Sequence, residues 1–189
     1  IGAAAPVSNH VKGHAEVRVA GDSRCPEERA RIATALAAAP RLQDVSTLSG
    51  LCLLVRRSTF AGIGCFDERF GTGNFEDDDF SLRLRLHGHR LVLARRAFLH
   101  HEGHATFRQL GLDLDQELAR KRRCFANKWQ AEAAGRAVIA AMDGDELGDG
   151  EHAAEAQCEW PAWPDAHWHL AMAATRLGNQ QARSEEHTS

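Results

Sequence analysis

Residues 75–93 read FEDDDFSLRLRLHGHRLVL, and this stretch predicts a helix followed by a strand. Between residues 80 and 87 apolar and polar side chains alternate, a period that by itself indicates a strand. The flanking residues favour a helix instead, because carboxylates stabilise the free N–H groups at a helix start and Gly88 is a common helix terminator. Leucine and arginine are also good helix formers. We therefore predict a helix buried on two faces, and then a short strand over residues 91–93.

Further elements lie on either side of this stretch. They are a helix over residues 26–40, a buried strand over residues 48–55, a short helix that opens at Ser58 and a long helix over residues 112–129. Pro26 suits a first helical turn, and Pro40 would stop the helix that it begins. The strand over residues 48–55 is short and apolar, which places Cys52 in the core.

Composition and charge argue against several classes of protein. The longest apolar run, residues 51–55, is far shorter than the roughly 20 residues of a membrane-spanning helix, so we expect no membrane span. A net charge of -3 argues against a general nucleic-acid binder. The five cysteines form no C-x-x-C pair and suit reduced thiols better than a disulfide framework. We expect a cytoplasmic protein, with a peripheral position at the inner face of the membrane as the alternative.

The densest cluster of reactive side chains is the run of four carboxylates at residues 76–79. Such a run is often only the solvated start of a helix, and charge alone leaves that interpretation as good as a functional one. In a cleft, one of these carboxylates could remove the proton from an attacking hydroxyl, which is a poor nucleophile at neutral pH. A departing diphosphate would need a cation near its developing charge.

A second cluster, LHHEGHAT at residues 99–106, brings three histidines close together. It is not the zinc-protease motif H-E-x-x-H, because H-E-G-H is one residue shorter, and an independent metallohydrolase therefore ranks last. Histidine pairs are often surface or core features. Three histidines directly after a predicted strand favour a metal ligand at the strand end.

Together these segments resemble the family 2 glycosyltransferases. The similarity rests on PVSN (residues 6–9), LSGLCLLVRR (48–57), IGCFDERF (63–70), GNFEDDD (73–79), AFLHHEGHATF (97–107) and FANKW (125–129). PVSN is similar to the segment just past the metal-binding D-x-D strand of that family. The resemblance covers residues 1–130 and implies the acceptor-side half of a GT-A fold. This is an α/β, Rossmann-like fold of nucleotide-diphospho-sugar transferases, for which we expect a mixed sheet with helices.

The resemblance also implies roles for individual residues. Asp77 matches the catalytic base of the family, and Glu76 matches the neighbouring residue that orients the acceptor. Gly50 matches the small residue that lets the backbone approach the donor sugar, and Asn74 belongs to the same substrate-binding set. Arg83 is expected to be a structural partner of the acidic helix. Transfer would be a single displacement with inversion at the anomeric carbon.

A divalent metal, Mn or Mg, is the cofactor that the resemblance implies. His101 matches the histidine that joins the D-x-D aspartate on this metal, and His100 is the alternative. The main D-x-D ligands are missing from this chain, because DLD at residues 113–115 and DGD at residues 143–145 lie downstream of the base. We interpret these two as a helix start and a linker. We expect a fold truncated at its N-terminal side and no turnover by this chain alone.

We predict four parts in the chain. The resemblance implies that residues 1–130 are the acceptor-side half of a glycosyltransferase domain, and the change in composition after them predicts a helix and a linker over residues 131–150. Residues 151–182 are similar to part of a tetratricopeptide repeat, with a plain helical appendage as the alternative. The tail RSEEHTS, residues 183–189, is similar to a translated sequencing adapter.

The predicted function is inverting, metal-dependent transfer of a sugar from a nucleotide sugar to a hydroxyl of a glycan, lipid or protein. The absence of a Q-x-x-R-W motif suggests single additions rather than processive synthesis. The alternative is a catalytically degenerate scaffold coupled to helical repeats that bind a protein partner. The intact Glu76-Asp77 pair and the histidines at positions 100 and 101 favour the enzyme.

Overall fold

The computed structural model describes residues 1–11, 13–103, 109–143, 151–152 and 154. Its strands are β1 (Ala3–Ser8), β2 (Leu42–Val45), β3 (Leu54–Val55) and β4 (Leu91–Leu99). They form one four-stranded sheet in the order β2-β4-β1-β3. β1 and β4 are parallel, whereas β2 and β3 run antiparallel to their neighbours. The predicted α/β architecture with a mixed sheet is confirmed.

The described helices lie between and after these strands. They are α1 (Pro26–Leu36), α2 (Arg57–Ile63), α3 (Glu76–Leu86), α4 (Leu114–Trp129) and α5 (Ala133–Asp143), with short 3-10 turns at Gly13–Ala15 and Glu68–Phe70. α1 begins at Pro26, as the sequence predicts, and carries two glutamates in its first turn. α2 ends at Gly64, which has a φ of 81°.

The ambiguous stretch after the acidic run is a helix, and it is buried on two faces as predicted. Phe80 and Leu84 pack with alanines and leucines of β1 and β4 in one hydrophobic cluster. On a second face, Ser81 and Arg85 are buried although they are polar. The alternation of apolar and polar residues therefore reflects two buried faces of different chemistry and not a strand.

The predicted buried strand over residues 48–55 is wrong for most of its length. Only Leu54–Val55 forms a strand, which pairs with the first two residues of β1 at the sheet edge. Leu48 is buried, but Leu54 is 76% exposed. Cys52, expected in the core, is exposed as well. The reason is that backbone N–H groups of this segment bond to side chains of α3 and not to a neighbouring strand.

Strand β4 is longer than the sequence predicts, and strands β1 and β2 were not predicted. β4 continues to Leu99, well beyond the predicted residues 91–93. β1 consists of small residues and a proline, and β2 is a half-exposed edge strand, so neither carries a strong apolar period. Both are stabilised by pairing with β4.

The chain forms two compact units, Ile1–Lys121 and Arg122–Ser189. In the second unit, the end of α4 and helix α5 bury Phe125, Trp129 and Ala137. A Cβ atom on Gly135 would lie 2.2 Å from the Trp129 carbonyl oxygen, so this close approach requires glycine. The predicted repeat-like unit and tail lie outside the described residues, apart from positions 151, 152 and 154. Within the described ranges, no helix has the length and apolar character needed to cross a bilayer.

Candidate functional site

Two segments carry the residues that the sequence singles out, and we call residues 74–79 the acidic segment and residues 99–103 the histidine segment. The acidic segment forms the start of α3. Asn74 and Phe75 both have left-handed backbones, with φ of 65° and 69°. A bulky residue such as phenylalanine rarely adopts this conformation, which costs about 1–3 kcal/mol and is concentrated at functional sites. The backbone strain therefore lies directly before the carboxylates.

Asp77 is held against the backbone of Gly50. The N–H of Gly50 donates to Asp77 Oδ2 at 2.8 Å, and the N–H of Asp78 donates to Oδ1 at 3.1 Å. A Cβ atom on Gly50 would come within 3.3 Å of Asp77 Cβ and 3.4 Å of Glu76 Oε1. The structure thus brings Gly50, Glu76 and Asp77 together, as their predicted roles require.

Two residues that precede Asp77 in the acidic segment each have a buried polar atom. Within the described part of the chain, neither Asn74 Nδ2 nor Glu76 Oε2 has a hydrogen-bond partner. Burial and the charge of Asp77 raise the pKa of Glu76. A buried donor and a buried acceptor without partners cost free energy, which a bound hydroxyl could recover because it both donates and accepts.

The second buried face of α3 ties the chain segment before Gly50 to the helix. Ser81 Oγ accepts from the N–H of Leu48 at 3.1 Å, and Arg85 Nη1 donates to the Ser46 carbonyl. The contacts of Ser81 and Arg85 fix the backbone that presents Gly50 to Asp77.

The acidic segment also contains a carboxyl group with a raised pKa. Burial, together with the charges of Asp77 and Glu76, raises the pKa of Asp78 to about 7.

Asp79 has a structural role. Its side chain is fully buried, and Arg83 Nε donates to its Oδ2 at 2.9 Å. The same guanidinium donates to the carbonyl oxygens of Ile63 and Cys65, at 2.9 and 2.7 Å. The prediction that Arg83 is a structural partner of the acidic helix is confirmed, since it joins α3 to the end of α2.

The histidine segment follows β4 and is anchored by the residue that follows β1. Asn9 accepts from the N–H of His101 through Oδ1 at 2.8 Å and donates to the His101 carbonyl through Nδ2 at 3.1 Å. The Asn9 carboxamide therefore continues the parallel pairing of β1 and β4 beyond the ends of the strands. Sequence reasoning missed this role, although PVSN drew attention to the position.

The two neighbouring histidines differ in what their ring nitrogens can do. His101 Nδ1 donates to the His10 carbonyl at 2.8 Å, which leaves the lone pair of the neutral ring on Nε2. His100 bonds through Nδ1 to Ser23 Oγ at 2.5 Å and through Nε2 to Glu102 Oε1 at 3.1 Å. Both His100 nitrogens are thus engaged, so the geometry favours His101 over His100 as a ligand.

The described residues do not complete a metal site by themselves. In the ranges that the structure describes, no group of three or more His, Cys, Asp or Glu side chains could hold a metal ion. His101 supplies at most one nitrogen of a donor set. His104, the third histidine of the sequence cluster, lies outside the described residues. The implied divalent metal therefore stays a prediction.

The acidic and histidine segments lie toward the same end of the sheet. At the opposite end, the N–H of Gly2 donates to the Arg90 carbonyl, and Gly2 lies against Leu84 and His89. α3 therefore ends beside the start of β1 and begins toward the carboxyl ends of β1 and β4, where the histidines lie. Ligands of open α/β sheets bind at such carboxyl ends. That Asp77 and His101 face one ligand stays a prediction, and a groove at Arg41 and Leu42 on the other sheet edge contains neither.

The comparisons with known proteins give a partial relationship. No family model matches the chain, and no solved structure matches it. The chain is similar to the N-acetylglucosaminyl-diphospho-decaprenol L-rhamnosyltransferase of two Mycobacterium tuberculosis strains, CDC 1551 / Oshkosh and ATCC 25618 / H37Rv, with 46% identity over 70 residues in each. The matched region is 36% of this chain, and the chain spans 22% of the length of these curated relatives. The similarity supports a relationship to glycosyltransferases.

Proposed function

We propose that this chain carries the acceptor side of a glycosyltransferase active site, with Asp77 as the catalytic base. One observation carries the proposal. The N–H of Gly50 fixes the Asp77 carboxylate, and two residues of the same acidic segment, Asn74 and Glu76, each have a buried polar atom without a hydrogen-bond partner in the described part of the chain. The similarity to a rhamnosyltransferase points to the same chemistry.

The reaction that suits this arrangement is a single displacement. The acceptor hydroxyl gives its proton to Asp77 as its oxygen forms a bond to the anomeric carbon of the donor sugar. The bond from that carbon to the diphosphate oxygen breaks, the nucleoside diphosphate leaves with the electron pair, and the anomeric configuration inverts. Asp77 can accept the proton while it is bonded to Gly50, because each carboxylate oxygen has two lone pairs.

Asn74 and Glu76 bind and orient the acceptor in this proposal. The Asn74 amide donates to one lone pair of an acceptor hydroxyl, and Glu76 accepts a hydrogen bond from an acceptor hydroxyl. Such groups reject an acceptor that lacks the hydroxyl, because the buried atoms would then stay without partners. The expected acceptor is a neutral polyhydroxyl surface, as on a glycan.

The proposed cofactor is a divalent cation with His101 as one ligand. Bound there, it would neutralise charge on the leaving diphosphate. The remaining ligands, including a D-x-D pair, would come from residues other than those described here. This chain contributes the orientation of the His101 ring, which the His10 carbonyl and Asn9 fix.

The donor and acceptor of the relative define the first assay. The name of the relative describes L-rhamnose transfer to N-acetylglucosaminyl-diphospho-decaprenol. We therefore propose testing nucleotide-activated L-rhamnose first, against N-acetylglucosaminyl diphosphate lipids and free glycans. The protein assayed is the longest one encoded around this chain.

The decisive variant is Asp77→Asn, which removes the base and keeps the shape of the side chain. We expect transfer to fall by about 10²–10⁴-fold, the usual contribution of a general base. The matched control is Asp113→Asn, since Asp113 is also an aspartate at a helix start, where it accepts from the N–H groups of Asp115 and Gln116. The control should keep its rate within about twofold, because asparagine caps helices as well as aspartate does. Full activity of Asp77→Asn would refute the assigned base, and no transfer or donor hydrolysis by any variant would favour the scaffold.

A further inference from the structure

Lys121 lies where the sequence predicts a solvent-exposed side chain. The basic run RKRR at residues 120–123 predicts the solvent-exposed face of a helix near its C-terminal end. In α4, Arg123 is exposed as expected, but Lys121 is only 1% exposed. An ammonium group is rarely buried to this extent unless it has partners, so its contacts indicate what it does.

Lys121 bonds to the loop that precedes the acidic segment. Its Nζ donates to the carbonyl oxygens of Thr72 and Gly73, and Glu117 Oε2 of the same helix is 3.9 Å away. Arg120 Nη2 also reaches this region and donates to the Phe70 carbonyl at 3.5 Å. Side chains of α4 therefore hold the loop by bonding to the backbone carbonyl groups of the loop.

The loop is one that needs such support. Gly71, Gly73, Asn74 and Phe75 all have φ between 65° and 69°. Left-handed conformations at Asn74 and Phe75 persist only where the surrounding structure holds them. The cation of Lys121 binds the carbonyl groups immediately before these two residues, at the point where the strained backbone enters α3.

Lys121 also acts on Glu76 through its charge. The positive charge of Lys121 opposes the rise in the pKa of Glu76 that burial and Asp77 cause. In turn, burial lowers the pKa of Lys121, while Glu117 and Glu76 oppose that fall. The ammonium group thus contacts the loop and stabilises the charged form of a carboxylate in the candidate site.

We propose that Lys121 is a positioning residue that holds the 71–75 loop, so that Asn74 and Glu76 present their free atoms to the acceptor. That the ligand is a sugar acceptor rests on the proposed function, whereas the effects of Lys121 on the loop and on Glu76 do not. Lys121 itself touches neither a substrate nor a reacting atom in this assignment. It acts through the loop and through its charge.

The test is a set of variants of the full 189-residue chain, measured by NMR without any substrate. Lys121→Met removes the charge and the donor, and Lys121→Gln removes the charge but keeps a donor. Arg123→Met is the matched control, because it removes a positive charge from an exposed side chain of the same helix. The two readouts are backbone order parameters of residues 72–75 and the titration of the Glu76 side-chain carboxyl carbon.

In Lys121→Met we expect the order parameters of the loop to fall from about 0.85 to below about 0.6, the range of flexible backbone. We also expect the pKa of Glu76 to rise. Lys121→Gln should retain more of the loop order than Lys121→Met and show the same direction of change at Glu76. Arg123→Met should match the wild type in both measurements.

The proposal is overturned if Lys121→Met matches Arg123→Met in loop order and in the Glu76 titration. If Lys121→Met does not fold, Lys121→Gln decides, and loop order parameters equal to those of Arg123→Met in that variant overturn the proposal. Because no substrate is present, these outcomes are independent of whether the protein transfers a sugar. Failure of the transfer assay with a positive NMR result would refute the proposed function alone.

Discussion

The acidic and histidine segments lie toward the same end of the sheet but are built in different ways. Around the acidic segment, side chains of α3 and α4 bond to the backbone of residues 46–50, 63–65 and 72–73. In the histidine segment, the hydrogen bonds come from Asn9, the His10 carbonyl and Ser23. Buried charge dominates the first segment, and partly exposed imidazoles dominate the second.

The difference teaches which half of the candidate chemistry this chain can support. A base and its neighbours need a fixed position and an environment that controls their charge, and the acidic segment has both. The histidine segment orients one nitrogen and supplies no further described donors. The acidic segment therefore suits the proposed acceptor side, and the histidine segment offers one nitrogen toward the proposed metal.

The largest expected effect is on the stability of the acidic segment. Asp79→Asn removes one partner of the buried ion pair with Arg83, which should lower the free energy of unfolding by about 3–5 kcal/mol. The measurement is urea unfolding of the full chain at constant pH and salt. Asp22→Asn is the control, because the Asp22–Arg24 pair is exposed and such pairs contribute little. Equal midpoints for the two variants would show that the buried pair does not hold α3 in place.

The second effect is a pH dependence that arises in the acidic segment. Asp78 has a pKa of about 7 in the folded protein, against 3.8 for the ordinary side chain. The folded state therefore binds more protons at Asp78 between those values, so this group contributes stability that is fully present below about pH 4 and is lost as pH rises to about 7. The raised pKa of Glu76 acts in the same direction.

Asp78→Asn should reduce this slope by up to about 1.4 kcal/mol per pH unit, the value for one proton. Unfolding midpoints measured across that pH range give the slope directly. His100→Gln, a change in the histidine segment, should leave the part of the slope that comes from Asp78 unaltered, because His100 is not among the groups that shift the pKa of Asp78. Parallel curves for the wild type and Asp78→Asn would contradict the assignment.

The smallest effects compare Gly103 of the histidine segment with Gly50, which contacts the acidic segment. Gly103 has a φ of 56°, and a Cβ atom there would lie 2.2 Å from the His10 ring. Gly103→Ala should cost about 1–2 kcal/mol for the left-handed backbone alone. Adding His10→Ala should relieve the contact with the ring but not the backbone cost, so the double variant separates the two by thermal unfolding.

Gly50→Ala should change stability by less than about 1 kcal/mol. Its Cβ would meet Asp77 Cβ at 3.3 Å, a tight contact, and the loss is offset by the lower entropy of alanine in the unfolded chain. We expect its effect in the position of Asp77, visible as a changed amide shift of residue 50. A larger loss of stability from Gly50→Ala than from Gly103→Ala would reverse the comparison.

Much of the acidic segment could be predicted from the sequence, because its signals are local. Carboxylates before an apolar run, with Gly88 after it, indicate the bounds of α3 irrespective of what packs around the helix. The pair Glu76-Asp77 and its match to Gly50 followed from the family resemblance, and the structure places the three together. That they act on an acceptor stays a prediction.

The burial of Lys121 and the exposure of Cys52 could not be predicted in this way. Both depend on which distant segment is adjacent in the fold, since Lys121 bonds to residues 72 and 73 and the 48–53 segment bonds to α3 instead of a strand. The composition of a segment and the spacing of its apolar residues indicate whether a side chain is exposed to water, but they do not indicate which distant residue it contacts. The contacts of Asn9 could not be predicted for the same reason, because its partner His101 is distant in the sequence.

The sequence by itself determined the helix over the acidic run, the α/β class and the identity of the candidate groups, because each depends on residue type and short-range order. Only the tertiary structure decided that Asp79 serves the fold and that His101 keeps a free lone pair while His100 does not. It also decided that a buried lysine supports the acidic loop. The physical reason is that the ionisation and orientation of a side chain are set by its neighbours in space, and most of those neighbours are distant in sequence.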